Sequence, residues 1–133
     1  MTISRPRVIA ILAASILFAA CSASDANAPA RATEEYLKAI VAKDADRISQ
    51  LTCADWADDA QQTLDSFAAV DLALDNLKCT TSDTQGDTAT VNCTGSISTT
   101  YNGEVRQLDL SEQAFTMTQV SGNWLVCGVN QTR

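Results

Sequence analysis

The chain has 133 residues, enough for a single domain, and sixteen acidic against nine basic residues give it a formal charge of −7. That balance argues against nucleic acid as a partner, because phosphate backbones repel an acidic surface. Histidine is absent, which removes the Ser-His-Asp and Cys-His nucleophile systems and the commonest ligand for a transition metal.

Arg5 and Arg7 form a basic leader, followed by the uncharged apolar run Val8 to Phe18 and the small residues Ala19 and Ala20. This order predicts a signal peptide over residues 1–20, with an apolar stretch too short for a permanent span. Pro6 separates the two arginines, so the twin-arginine export pattern is missing. The segment Leu17-Phe18-Ala19-Ala20-Cys21 resembles the lipobox of bacterial lipoproteins. Phe18 stands where that pattern most often has Leu. The resemblance implies cleavage before Cys21, a diacylglycerol thioether on its sulfur, and fatty acylation such as palmitate on the new amino group. Cysteine parity agrees with it. Five cysteines leave one thiol over in an oxidising compartment, and lipid on Cys21 leaves the even set Cys53, Cys79, Cys93 and Cys127. The expected localisation is a cell membrane or outer membrane, with the domain outside the cytoplasm.

Cleavage removes two basic residues and no acid, so the mature chain keeps seven basic against sixteen acidic residues, a formal charge of −9. Attachment then depends on acyl chains, each buried methylene contributing roughly 0.8 kcal/mol. The net charge itself works to hold the body off an anionic bilayer.

Residues 21–31 hold the lipidated cysteine and a Ser, Ala, Asp, Asn and Pro stretch without periodicity, which predicts a flexible tether. The single α+β domain is expected over 32–133. Thr33 reads as a helix N-cap with Glu34 and Glu35 in the first turn. Tyr36, Ile40, Val41, Ile48 and Leu51 then form one stripe, flanked by Leu37 and Ala45, on a helix of roughly 15 to 18 residues. A second helix carries Trp56, Ala60, Leu64 and Phe67, with Asp58 and Asp59 near its start. From Leu72 the period is that of a strand, with a phase slip near Asn76 that suggests a bulge. Ala89, Val91, Cys93, Gly95 and Ile97 alternate with polar residues beyond a turn at Gln85-Gly86-Asp87. Asn102-Gly103 is a strong hairpin signal. Ala114 to Val120 and Trp124 to Val129 complete an antiparallel meander, joined by Ser121-Gly122-Asn123. The predicted fold is α+β: two N-terminal helices on a curved four- to five-stranded antiparallel sheet, cone-like.

Four cysteines allow three pairings. Cys79 and Cys93 lie seven residues either side of Gly86, which suits direct opposition across a hairpin. That leaves Cys53, at the end of the first helix, for Cys127 in the last strand.

The order of elements, the stretch Ala32 to Leu51 and the terminal Gln119-Val120-Ser121-Gly122-Asn123-Trp124-Leu125-Val126 resemble the nuclear transport factor two-like superfamily. The resemblance implies a cone in which helices cross a curved sheet. Members with enclosed ligand cavities usually carry a third helix and longer strands. The short strands expected here predict a sheet closing over Val91, Leu108, Phe115 and Trp124 with little enclosed volume. Isomerase and dehydratase branches of the superfamily place an Asp or His with Tyr in the cavity, so the resemblance makes Tyr36 and Trp56 the candidate pocket residues.

The remaining acids read as surface features. Asp55, Asp58 and Asp59 belong to helix caps, Asp83 and Asp87 supply too few oxygens for a calcium loop, and Glu34 with Lys38 is a helical surface pair. The sequence points to no cofactor and no metal. Asn92-Cys93-Thr94 fits a glycosylation acceptor pattern but falls in mid-strand. The favoured reading is a non-catalytic cell-envelope lipoprotein domain that binds another protein or a small ligand. The alternative is a small carboxylate-dependent enzyme of the isomerase or dehydratase type, in which Asp71 or Asp75 is turned inward by the slip near Asn76.

Overall fold

The computed structural model describes residues 25–132. Three helices, α1 (Ala28–Ala42), α2 (Ala45–Leu51) and α3 (Ala57–Ser66), precede five antiparallel strands, β1 (Asp71–Gln85), β2 (Thr88–Tyr101), β3 (Glu104–Asp109), β4 (Gln113–Val120) and β5 (Asn123–Gln131). The two N-terminal helices α1 and α2 pack on an open, curved sheet of order β1-β2-β4-β5, with β3 also paired to β2. This is the α+β, cone-like arrangement that the patterning indicates.

The first helix begins six residues earlier than its sequence suggests, with Asn27 rather than Thr33 at the N-cap position. Pro29 sits in the first turn of α1, where its missing N–H costs nothing, and Asn27 precedes the helix without a side-chain cap. Asp25 takes up the slack by accepting from the Asn27 N–H at 2.9 Å and pairing with Arg31. Thr33 is therefore no cap, and the first turn holds no acid. Its hydroxyl is fully buried, donating to the Pro29 carbonyl at 3.0 Å and the Met117 thioether at 3.3 Å. Residues 28–31, at the end of the stretch read as tether, form the first turn of α1.

The long helix is also broken. Lys43 takes a left-handed conformation (φ 55°), and the next turn restarts at Asp44, whose carboxylate accepts from the Arg47 N–H. The Lys43 ammonium then reaches the Val70 carbonyl at 2.7 Å and the Ala68 carbonyl at 3.3 Å, tying the helix corner to the approach to β1. Tyr36, Leu37, Ile40, Ile48 and Leu51 are buried as the stripe requires, whereas Ala45 is exposed.

β2 is the spine of the sheet. Its first half pairs with β4 (Val91 opposite Phe115), its second half with β3 (Ile97 opposite Leu108), and β1 runs along its other side. Leu110, in the short 3₁₀ turn between β3 and β4, is fully buried. Asn102 and Gly103 both have positive φ, as a two-residue hairpin turn requires. The phase slip is a bulge: Asn76 and Leu77 face Gly95 between the pairs Asp75–Ser96 and Lys78–Thr94. The core fills the space between helices and sheet with Ile40, Val91, Phe115, Met117 and Val126.

Cys79 and Cys93 are direct register partners, joined by a disulfide with Cα atoms 4.0 Å apart. A second disulfide joins Cys53 to Cys127 (Cα–Cα 5.2 Å), beside a hydrogen bond from Cys53 N–H to the Val126 carbonyl.

Glu34 does not pair with Lys38, which holds Glu35 at 3.0 Å instead. Its carboxylate accepts from the Cys79 N–H at 3.0 Å, linking α1 to the outer edge of β1. Glu34→Ala is expected to destabilise the domain by about 1.5 kcal/mol, because the donor loses a charge-assisted partner. Glu35→Ala, on the exposed face, should change stability by under about 0.5 kcal/mol. Denaturant midpoints of the two variants check this; equal midpoints would show the Glu34 contact to be energetically idle.

Candidate functional site

A cavity of about 300 Å³ lies between the helices and the concave face of the sheet. α1 contributes Tyr36, Leu37 and Ile40, the 3₁₀ turn before α3 contributes Trp56, α3 contributes Thr63, and Phe67 follows at its C-cap. The sheet contributes Ile97, Leu108, Gln113, Phe115, Val129 and Gln131. Each side chain arrives for a local reason. Tyr36 and Ile40 follow the helical four-residue spacing of α1, and Ile97 and Phe115 are inward positions of alternating strands. Gln113 and Gln131 are register partners at the open ends of β4 and β5.

The floor is apolar. Tyr36 (3% exposed) meets Phe115 edge-on, with ring centroids 6.5 Å apart. The rim is polar, with Gln131 exposed and Thr63 and Gln113 half-buried. Among the described residues, no Asp, Glu, Lys or Arg lines the cavity. Burial pushes the Tyr36 phenol above its usual pKa of 10, and the nearby Trp56 indole opposes this by favouring phenolate. Tyr36 is thus a neutral hydroxyl at physiological pH. The Trp56 N–H comes close enough to act on the phenol but closes no hydrogen bond of good geometry, so it is buried without a partner. The cavity therefore offers an apolar body, a neutral phenol and amide groups at the mouth.

The structure brings the two candidate pocket residues, Tyr36 and Trp56, onto one cavity wall. Cys53 stands three residues before Trp56 and Cys127 two before Val129, so the disulfide between them fastens this wall to β5. Cys79 and Cys93 lie outside the lining, and Cys21 lies outside the described residues. Asp55, Asp58 and Asp59 are exposed at the start of the third helix, and Asp83 and Asp87 are exposed near the β1–β2 turn. Among the described residues no cluster of three or more His, Cys, Asp or Glu is placed to hold a metal. Asp71 is exposed; Asp75 is half-buried and accepts from the Ser98 hydroxyl, away from the cavity.

Three expectations change. β1 and β2 run to 15 and 14 residues, and the break at Lys43 yields a third helix, so the cone is not filled. Leu108 is 36% exposed at the mouth rather than buried, because β3 is an edge strand with every residue exposed. Trp124 is half-buried at the opposite end of the sheet, where it lines two clefts of about 480 and 490 Å³ that open between surface elements. Gln113, Gln131 and Thr63 carry no periodic signal, and only the strand register reveals them.

No helix among the described residues is long and apolar enough to cross a membrane. No family model matches the chain, and no curated protein matches it. Solved structures do. A SEC-C motif containing protein from Rhodopseudomonas palustris superposes with a TM-score of 0.55 at 15% identity, covering 80% of this chain and 81% of that one. A function unknown protein from Mycobacterium tuberculosis gives 0.56 at 14% identity, covering 77% and 69%. A nuclear transport factor two-like protein with a cystatin-like fold from Novosphingobium aromaticivorans gives 0.54 at 18% identity, covering 75% of each chain. At these identities the likeness concerns the backbone alone, and by that measure the chain has the nuclear transport factor two-like, cystatin-like fold.

Proposed function

We propose that the mature domain is a non-catalytic cell-envelope module, held to a membrane by lipid on Cys21, that binds a small uncharged ligand in its cone. The observation that carries the reading is the cavity of about 300 Å³, lined among the described residues by apolar, aromatic and neutral polar side chains. That volume falls at the lower bound of small-molecule sites, which are mostly apolar with a few placed polar groups. A carboxylate-dependent enzyme requires an acid in the cavity, and the two half-buried acids among the described residues are engaged outside it, Glu34 with the Cys79 N–H and Asp75 with the Ser98 hydroxyl.

The test is a screen of neutral hydrophobic compounds and their carboxylate analogues, followed by NMR of the Trp56 indole N–H and of Phe115. Neutral compounds should shift both signals and the carboxylates should not. Thr63→Trp, which places an indole at the half-buried rim, should weaken binding at least tenfold, about 1.4 kcal/mol, with the fold intact. Tighter binding of the anionic analogues, or turnover that disappears in Asp75→Asn, would replace this reading with the enzyme.

The anchor is tested separately. Cys21→Ser is expected to leave the precursor uncleaved or free of the membrane, read by detergent-phase partition and by the mass of the mature N-terminus. Equal retention of both proteins without lipid mass would remove the anchor from the proposal.

A further inference from the structure

The end of the domain that carries the start of α1 gathers two arginines and a tryptophan around one groove. The groove, of about 490 Å³, is lined by Arg31, Glu35, Arg47, Gln50 and Trp124, between α1, α2 and the β4–β5 turn. Two of the seven basic residues of the mature chain share it. The two acids that line the groove and the cleft beside it are paired, Glu35 with Lys38 and Asp25 with Arg31, while Asp44, Asp46, Asp83 and Asp87 stand exposed on the neighbouring turns. Arg47 takes part in none of the ion pairs formed among the described residues. Its guanidinium contacts only the neutral Gln50 amide, at 3.4 Å, and the Asp44 carboxylate beside it accepts from the Arg47 backbone N–H. Trp124 adds a half-buried indole, the side chain that combines apolar area with a polar edge at membrane–water boundaries.

Position supplies the partner. Asp25, Ala28 and Pro29 line the adjoining cleft with Gly122 and Trp124, so the chain enters the domain at this end. Cys21 precedes Asp25 by four residues, which span at most about 14 Å when extended. We propose, resting on the lipid attachment at Cys21, that this groove seats a phospholipid headgroup of the bilayer, its phosphate on Arg47 and its glycerol region against Trp124. Arg suits this role because its planar fork matches two phosphate oxygens. The net charge of the mature chain opposes contact with anionic lipid, so the acyl anchor must hold this end against the surface while Arg47 takes the phosphate. The docking also orients the cone. Gln131, on the pocket rim, lies seven residues along β5 from Trp124, about 23 Å away. The mouth therefore stands away from the bilayer, and the pocket draws its ligand from the aqueous phase.

The two tryptophans of the chain report the two ends separately. Full-length mature protein is reconstituted in phosphatidylethanolamine–phosphatidylglycerol vesicles containing a headgroup-spin-labelled lipid, as Trp56→Phe (leaving Trp124) and as Trp124→Phe (leaving Trp56). Trp124 should lose about half its emission and Trp56 under about a tenth, since Trp56 lines the pocket at the far end of the strand. Arg47→Glu should restore most of the Trp124 emission while the protein still floats with the vesicles. Equal quenching of the two indoles, or no effect of Arg47→Glu, overturns the headgroup site. So does displacement of the quenching by inorganic phosphate, which assigns the groove to a soluble anion. If wild-type protein does not float with vesicles at all, the anchor fails first, and this proposal falls with it for that distinct reason.

Discussion

Gly95→Ala is expected to destabilise the domain by about 4 kcal/mol, combining backbone strain with overpacking. Gly95 has φ of +96°, a conformation that side chains rarely adopt. A methyl group added there would run into the carbonyl oxygens of Asp75 and Asn76, the second at 2.6 Å. Those are backbone atoms of the β1 bulge and are held by the strand pairing on either side, so neither can yield cheaply. Gly86 supplies the control. It has φ of +59° but nothing within 4 Å of the added atom, so Gly86→Asn should cost about 1 kcal/mol or less. Chemical denaturation of the two variants against wild type decides the matter. A Gly95→Ala midpoint close to that of Gly86→Asn would mean that the bulge relaxes, and that the crossing is not what fixes this glycine.

The second large effect belongs to the disulfide between Cys53 and Cys127. It closes a loop of 74 residues, for which chain entropy gives about 4 kcal/mol. The bond between Cys79 and Cys93 closes only 14 residues and should contribute about 3 kcal/mol. Native stabilities of domains run to only about 5–15 kcal/mol, so the double variant Cys53→Ala/Cys127→Ala should retain a small part of the wild-type value. Beyond the global loss, it should loosen one region in particular. The bond sits next to the Thr52–Val126 bridge and just ahead of the turn bearing Trp56. Amide exchange should therefore accelerate through residues 52–66 more than in β1 and β2. Uniform acceleration along the chain would show that the bond acts on the unfolded state alone and fixes no pocket wall.

The parts of the fold legible in the sequence are those governed by neighbours along the chain. The alternation through Val91, Cys93 and Ile97 reports one strand with one buried face. Asn102-Gly103 forms a hairpin because both residues tolerate positive φ. The slip near Asn76 is visible because a bulge moves every later side chain to the other face. The illegible parts depend on distant partners. Thr33 looks like a cap, and it is buried only because Met117, 84 residues away, closes over its hydroxyl. Ala28 to Arg31 has the composition of a linker, and the sheet behind it makes the stretch helical. Lys43 ends α1 in a conformation usually left to Gly or Asn, so the only local sign of the break is Asp44, the cap of the helix that follows. At the pocket, the helical stripes of Tyr36 and Trp56 indicate burial against the core, and only the resemblance to the superfamily made the two residues pocket candidates. Gln113 and Gln131 carry no such signal, since only the register of β4 against β5 brings them to one rim.

The outer margin of β1 bears on how these molecules behave in company. A strand of 15 residues at the edge of a sheet presents unpaired backbone groups on which a second copy of the same strand can grow. Confinement to the plane of a membrane, as proposed, would raise the encounter rate between such margins. β1 is poorly suited to that growth. Register breaks at Asp75/Lys78 and Thr81/Asp83 divide it into short runs, Asp71, Asp75, Lys78 and Asp83 put charge along it, and the Cys79 donor is already taken by Glu34. The bulge that fixes Gly95 and the carboxylate that ties α1 to the sheet thus serve together as a guard against edge-to-edge aggregation of crowded neighbours.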